Sequence, residues 1–229
     1  MQALTVQAAT GGRLILGIGL SHQVVIEGAY GMSFSTPIRH MREYLEILMP
    51  LLHEGKADFV GEELTARTFA PMRVAGATAP AVIVAALGSQ MLRLAGRLAD
   101  GTALWMVGPT TIESHIVPTI TKAAEDAGRP APQIVVGLPV SVTADPEAAR
   151  EKAATQFGFY NNLPSYRAML DKEGADGPAD VAVVGDEEHV ASRLRHLGDI
   201  GATALSLPVF GSPEERGRTM ALLSELAAK

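Results

Sequence analysis

Five times along the chain, a short run rich in β-branched residues passes through a glycine-bearing turn into a stretch with helical spacing. That alternation predicts a parallel α/β fold. The first run is Arg13 to Gly19, followed by a polar loop and a helix over Pro37 to His53. In that helix Ile38, Met41, Leu45, Leu48 and Leu52 recur at steps of three and four, while Arg39/Glu43 and Arg42/Glu46 fall at i,i+4 on other faces. Thr36 is the expected N-cap, Pro37 fills the first helical position, and Pro50 marks a late kink. The second run, Pro80 to Leu87, precedes a helix over Gln90 to Ala99, and the third, Thr102 to Val107, precedes one from Thr110 to Ala127 that stops at Gly128. The fourth, Ile134 to Thr143, leads to a helix opened by Asp145-Pro146. The fifth, Thr203 to Val209, ends in Ser212-Pro213-Glu214-Glu215, a strong helix start.

Two segments interrupt the pattern. Residues 55–75, with Phe59-Val60-Gly61-Glu62-Glu63-Leu64, read as a hairpin insertion. Residues 158–185 read as a longer irregular stretch around Gly174-Ala175-Asp176-Gly177-Pro178, before a helix that starts near Asp186. Long connections inside a compact domain are often functional, which makes this one a candidate lid.

At 229 residues and 47% hydrophobic content the chain can bury a sizeable core. A net charge of -6 without a basic block argues against nucleic acid and anionic membrane as partners. Zero cysteines exclude disulfides, thiolate-held clusters and a cysteine nucleophile. The start, Met1-Gln2-Ala3-Leu4-Thr5, has no signal-peptide character, and no apolar run approaches the ~20 residues of a membrane span. A cytoplasmic protein is expected. No HExxH pattern occurs, and His189 and His196 lie seven apart without a partnered carboxylate, so no metal site is expected.

Five parallel units fit either an open doubly wound sheet or part of a barrel. The ordered set Gly11-Gly12-Arg13-Leu14-Ile15-Leu16-Gly17-Ile18-Gly19, Arg42-Glu43-Tyr44-Leu45-Glu46, Phe59-Val60-Gly61-Glu62, Pro80 to Ala86, Leu92 to Arg97 and Ala99-Asp100-Gly101 resembles the luciferase-like oxidoreductase superfamily over essentially the whole chain. Gly19 to Gly28 and Ala85-Ala86-Leu87-Gly88 look closer to its coenzyme F420-dependent branch than to the FMN-using luciferases. The resemblance implies a partial (β/α)8 TIM barrel forming one domain over 1–229, with Arg13 to Gly19 as strand four, strands one to three absent, and Met1 to Thr10 the tail of the third helix. It also implies a hydride transfer between F420 and a small organic substrate. Two alternatives stand beside it: an FMN-dependent monooxygenase of the same fold, and a catalytically inactive barrel fragment that binds a partner subunit. Homo-oligomerisation is a further expectation.

Sites in such barrels lie at the C-terminal ends of the strands. The Gly88-Ser89-Gln90 turn follows a strand and opens a helix, the setting of a phosphate cradle, with uncommitted N–H groups and a positive dipole end. Ser is also a favoured helix cap, so Ser89 reads either way. Gly211-Ser212 makes a similar turn, but Glu214 and Glu215 repel a phosphate, and it reads as a structural cap. Gly17 and Gly19 let a flat ring approach the backbone, and Ser21-His22 follows them. With the resemblance, Gly17, Gly19, Ser21, Ala85, Ala86, Gly88, Ser89 and Gln90 form the coenzyme set. His22 is the candidate catalytic residue, as a contact or a proton donor, a hydrogen-bonded loop histidine being the plain alternative. Trp105 reads either as a pocket wall or as a core aromatic.

Overall fold

A computed structural model describes residues 1–228. Its elements run in chain order as α1 (Gln2–Ala9), β1 (Ile15–Ile18), α2 (Gln23–Gly28), α3 (Pro37–His53), β2 (Asp58–Val60), β3 (Thr65–Arg67), β4 (Ala81–Ala85), α4 (Ser89–Leu98) and β5 (Gly101–Trp105). There follow α5 (Pro109–Thr111), α6 (Val117–Asp126), β6 (Gln133–Gly137), β7 (Val140–Val142), α7 (Pro146–Phe157), α8 (Pro164–Glu173), α9 (Pro178–Val181), β8 (Val183–Gly185), α10 (Glu187–Asp199), β9 (Ala204–Ser206) and α11 (Pro213–Ala227). One five-stranded parallel sheet has the order β1-β4-β5-β6-β9, as the strand–helix alternation predicts. β2 and β3 form the expected antiparallel hairpin, and β7 pairs β8 in parallel. By contact the chain divides into two compact units, residues 1–102 with 120–132, and residues 103–119 with 133 onward.

In the first unit β4 is the buried strand, with Val82, Ile83 and Val84 in the core. It is held at both ends by side chains from the turn after α4 and from β5. Asp100 Oδ2 accepts the Val82 N–H at 2.8 Å, and the buried Thr102 hydroxyl donates to the Val84 carbonyl at 2.8 Å. Met41, Leu45 and Leu52 of α3, and Leu92, Leu94 and Ala95 of α4, supply the helical side of the core. Gly96 lets α4 seat closely on α6, since a Cβ there would lie 2.5 Å from the Ile120 carbonyl oxygen.

The helix over Pro37 to His53 forms with the expected limits, but two of its polar contacts differ from the i,i+4 expectation. Glu43 is buried, and its carboxylate accepts the N–H groups of Glu62, Glu63 and Leu64 at 3.0, 2.9 and 2.8 Å. Arg39 pairs instead with Glu62, and Thr36 does not cap the helix but donates its hydroxyl to Glu63. The hairpin turn thus takes the charges that helical spacing assigns to the helix surface.

In the second unit the run Ile134 to Thr143 is two strands. β6 pairs β9, and after Leu138-Pro139 the chain continues as β7 against β8. Residues 158–185, read as irregular, are mostly ordered as regular structure: a 3-10 turn Gly158–Asn162, then α8, α9 and β8. Gly174 is the left-handed C-cap of α8, and Pro178 opens α9 after Asp180 accepts the N–H groups of Asp176 and Gly177. The glycine–proline cluster is therefore a stop and restart between helices. The Arg167 guanidinium secures it by donating to Asn161 Oδ1 and to the carbonyls of Ala175 and Asp176. Likewise, the loop after Gly19 contains α2. The helix expected from Thr110 to Ala127 contains a π-helical stretch at Ile112–Ile116.

α11 opens with a full capping box. Ser212 Oγ accepts the Glu215 N–H at 3.3 Å, and Glu215 Oε2 accepts the Ser212 N–H at 2.7 Å. Glu215 Oε1 also accepts the Thr143 hydroxyl at 2.7 Å, and Lys152 stands 3.6 Å away. The Ser212 N–H, with the two hydroxyls and the lysine, holds the Glu215 carboxyl down from the ordinary 4.5 to about 2. A depressed folded pKa gives stability that is present above the unfolded value and is lost as pH falls through the folded one. Glu215→Gln should therefore flatten the fall in stability between pH 4.5 and 2, as read by denaturant melts at stepped pH. For Glu43, burial opposes ionisation, but the three N–H groups and Arg42 together hold its carboxyl below the ordinary range. Glu43→Ala should lower Tm more than Glu46→Ala, and should speed amide exchange at Glu62, Glu63 and Leu64.

Candidate active site

β1 and β4 run side by side in register, Ile15 to Ile18 against Ala81 to Val84, so both leave the sheet at the same end. Beyond the last pair Gly19 meets Ala85, and a Cβ on Gly19 would sit 3.2 Å from the Ala85 Cβ. A side chain there would need the Ala85 methyl to yield by a few tenths of an ångström. Gly17 is exposed, with nothing within 4 Å of its Cβ position, so the backbone there is open to a flat ligand. Ala85 is exposed at this end. Ala86 is buried, its carbonyl accepting the Thr102 hydroxyl at 3.3 Å, so it contributes rigidity rather than surface.

After three intervening residues beyond β4, α4 begins. Gly88 is its N-cap with extended backbone, and Ser89 is the first helical residue. Ser89 is therefore not the cap, and no side chain caps this helix. The first intrahelical bond is Leu92 N–H to the Gly88 carbonyl at 3.0 Å, so the first-turn N–H groups have no side-chain acceptor. Gly88 is exposed, and its Cβ position is open. The starts of α3 and α8 likewise lack a side-chain cap, whereas others are filled. Asp145 caps α7, Asp186 caps α10, and Glu173 accepts the Thr110 and Thr111 N–H groups at 3.1 and 2.7 Å. The rival Gly211-Ser212 turn already holds the Glu215 carboxylate on its N–H, the position an anion would need.

After Gly19, Ser21 adopts a left-handed backbone with φ 59°, uncommon for a residue with a side chain. It turns the chain into α2, which His22 leads as N-cap. The His22 carbonyl accepts the Val25 and Ile26 N–H groups, both at 2.9 Å, and the residue is half-buried. The structure thus brings Gly19 and Ala85 together and sets Gly88-Ser89-Gln90 at the exit of the same strand. His22 stands three residues beyond Gly19, at the head of its own short helix.

Two features of the second unit concern the end of β5. Trp105 is half-buried with its ring edge-on to Phe157 and Tyr160, and Met106, fully buried, has φ 56°. The strained methionine has no sequence signal, because nothing in its residue type announces a positive φ. Among the described residues no group of three or more His, Asp or Glu is placed to hold a metal, and no helix is long and apolar enough to cross a membrane.

Comparison with known proteins gives this geometry a context. An uncharacterized protein of Mycobacterium tuberculosis is 32% identical over 181 residues, covering 73% of this chain and 53% of its own length. The 5,10-methylenetetrahydromethanopterin reductase of Archaeoglobus fulgidus is 31% identical over 206 residues, covering 89% of this chain and 59% of its own. The chain thus spans little more than half the length of these relatives. The structure of the coenzyme F420-dependent tetrahydromethanopterin reductase from Methanopyrus kandleri superposes with a TM-score of 0.74 at 20% identity, over 97% of this chain and 76% of that one. The sequence model of the luciferase-like monooxygenase family matches residues 1–204, from α1 into the first residue of β9, and the chain belongs to that family.

Proposed function

We propose that the chain forms the coenzyme-binding part of an F420-dependent oxidoreductase that moves a hydride to or from a small organic substrate. The observation that carries this reading is the uncapped start of α4 at Gly88-Ser89-Gln90, next to a strand end built from Gly17, Gly19 and Ala85. Backbone N–H groups at a helix start, together with the dipole, favour a phosphate, and glycine and alanine backbone admits a flat ring. The residues fit a phosphate-bearing tricyclic coenzyme. F420-dependent enzymes among the similar proteins support the choice of deazaflavin. When bound, the deazaflavin supplies two electrons as hydride. The chain's own work is to bind and orient: the α4 N–H groups and the Ser89 hydroxyl hold the phosphate, and the Gly17 and Gly19 backbone faces the ring. His22 holds or donates a proton at the substrate. We read β1, β4, β5, β6 and β9 as strands four to eight of a (β/α)8 barrel.

The two end strands of the sheet order, β1 and β9, carry exposed apolar residues and favour one second reading, a binding subunit of the same fold. The exposed Ile15 of β1 and Leu205 of β9, on the two end strands of the sheet order, make self-association the expected behaviour of the isolated chain.

Gel filtration after incubation with F420 or with FMN separates the readings. Co-elution of the F420 absorbance is the expected result; an FMN band alone points to the monooxygenase alternative, and neither band to the binding subunit. Ser89→Asp gives the finer test. A carboxylate in the first turn favours the helix dipole, so the variant should fold with Tm unchanged or slightly raised. Beside a phosphate at ~4 Å the same charge is unfavourable by ~1 to 4 kcal/mol, so F420 affinity should fall roughly fivefold or more. Unchanged affinity in a fluorescence titration of the coenzyme would remove the phosphate from this helix.

A further inference from the structure

The C-terminal end of β5 departs from ordinary packing twice in consecutive residues. Trp105 Nε1 is buried with no hydrogen-bond partner among the described residues, and Met106 beside it is fully buried with φ 56°. A buried donor without an acceptor is unfavourable, and a phenylalanine would fill the same place without it. The surroundings hold the indole closely. Below it lies Gly137 of β6, where a Cβ would come within 2.9 Å of the ring. Phe157 and Tyr160 meet it edge-on, at centroid distances of 6.0 and 5.8 Å, and Phe210 packs on Phe157 at 5.8 Å. Tyr160 comes from the 3-10 turn Gly158–Asn162, which contains no buried residue and leaves Phe159 55% exposed. The ring lies against Gly137 on one side, and Tyr160, which also meets Tyr166 at 5.0 Å, packs on it from the turn.

We propose that Trp105 is a ligand-recognition residue whose indole N–H donates to the oxygen of a neutral, planar apolar molecule, an aromatic ketone or a relative of it, which takes the place of the Tyr160 turn against the indole. The chemistry follows from the walls. With the turn opened, Phe157 and Phe210 offer aromatic edges to a flat apolar body, and they disfavour a buried charge, so the acceptor is a carbonyl or ether rather than a carboxylate. Opening the Gly158–Asn162 turn exposes the donor, and the ligand's oxygen then satisfies it. This inference stands on the second unit alone and does not require the coenzyme reading.

The test compares acetophenone with α-methylstyrene, which keeps the shape but replaces C=O by C=CH2, binding to the full chain and to Trp105→Phe by equilibrium dialysis. The ratio of the two dissociation constants removes differences in hydrophobicity. In Trp105→Phe the preference for the ketone should fall by about three- to tenfold, the worth of one neutral hydrogen bond. Trp105 is the only tryptophan, so the unsubstituted protein has a single indole N–H resonance, which acetophenone should move downfield saturably and protect from exchange. A preference unchanged by the substitution, an indole proton whose exchange acetophenone leaves untouched, or failure of the unsubstituted chain to bind either compound would each overturn the proposal. F420 binding is followed separately by its visible absorbance in both proteins, so loss of the coenzyme reading shows there and loss of this one in the ratio.

Discussion

The in-register parallel pairing of β1 with β4 is the constraint on which the candidate site depends. Parallel strands deliver all their C-terminal ends to one side, and this register sets Gly19 against Ala85 with no freedom to slide. A slip by one residue would turn every side chain of a strand to the opposite face and bury the wrong set. The core prevents it, since Val82, Ile83 and Val84 are all buried and Asp100 and Thr102 pin the backbone of β4. The exit of β4 then determines where α4 begins. The site is in this sense a by-product of strand register, and its small residues are those that the close approach of two strand ends permits.

Several carboxylates in this protein satisfy backbone N–H groups of turns and helix starts. Glu43 serves the hairpin turn, Glu173 the start of α5, Glu215 the start of α11, and Asp145 and Asp186 the starts of α7 and α10. Each neutralises the partial positive charge of a turn or helix start and leaves nothing for an anion to bind. The start of α4 is built without such a group. The acidic net charge is consistent with this distribution, because part of it is consumed internally rather than displayed.

Strand–helix order, the hairpin and most helix limits were legible in the sequence, because they rest on local periodicity and caps. Pro37 to His53 and the Ser212 to Glu215 start are set by residues within one turn of each other. What escaped was decided at long range or in very short elements. Glu43 has the spacing of a surface ion pair, and only the fold of a hairpin some twenty residues on makes it a buried acceptor. β8 is three residues, all buried, with no alternation to announce it. The cluster from Gly174 to Pro178 has the composition of a coil and the role of a cap. For the site, the glycines and Gly88-Ser89-Gln90 could be named from the strand-to-helix transition, whereas the place of Ser89 inside the helix, with Gly88 as its cap, needed the backbone. The unpaired indole nitrogen of Trp105 has no sequence counterpart.

Gly96 places a second control on α4, at the end away from the site. A glycine within a helix costs about 1 kcal/mol relative to alanine, and here the missing Cβ is what lets the helix lie against the Ile120 carbonyl. Seven residues separate Gly96 from Ser89, roughly 10 Å along the axis. Any larger side chain at Gly96 would act as a wedge under one end of a rigid rod and swing the other. Variation that alters ligand affinity can therefore arise on α4 well away from any atom a ligand would touch, and a search for altered-affinity variants confined to the residues lining the site would miss it.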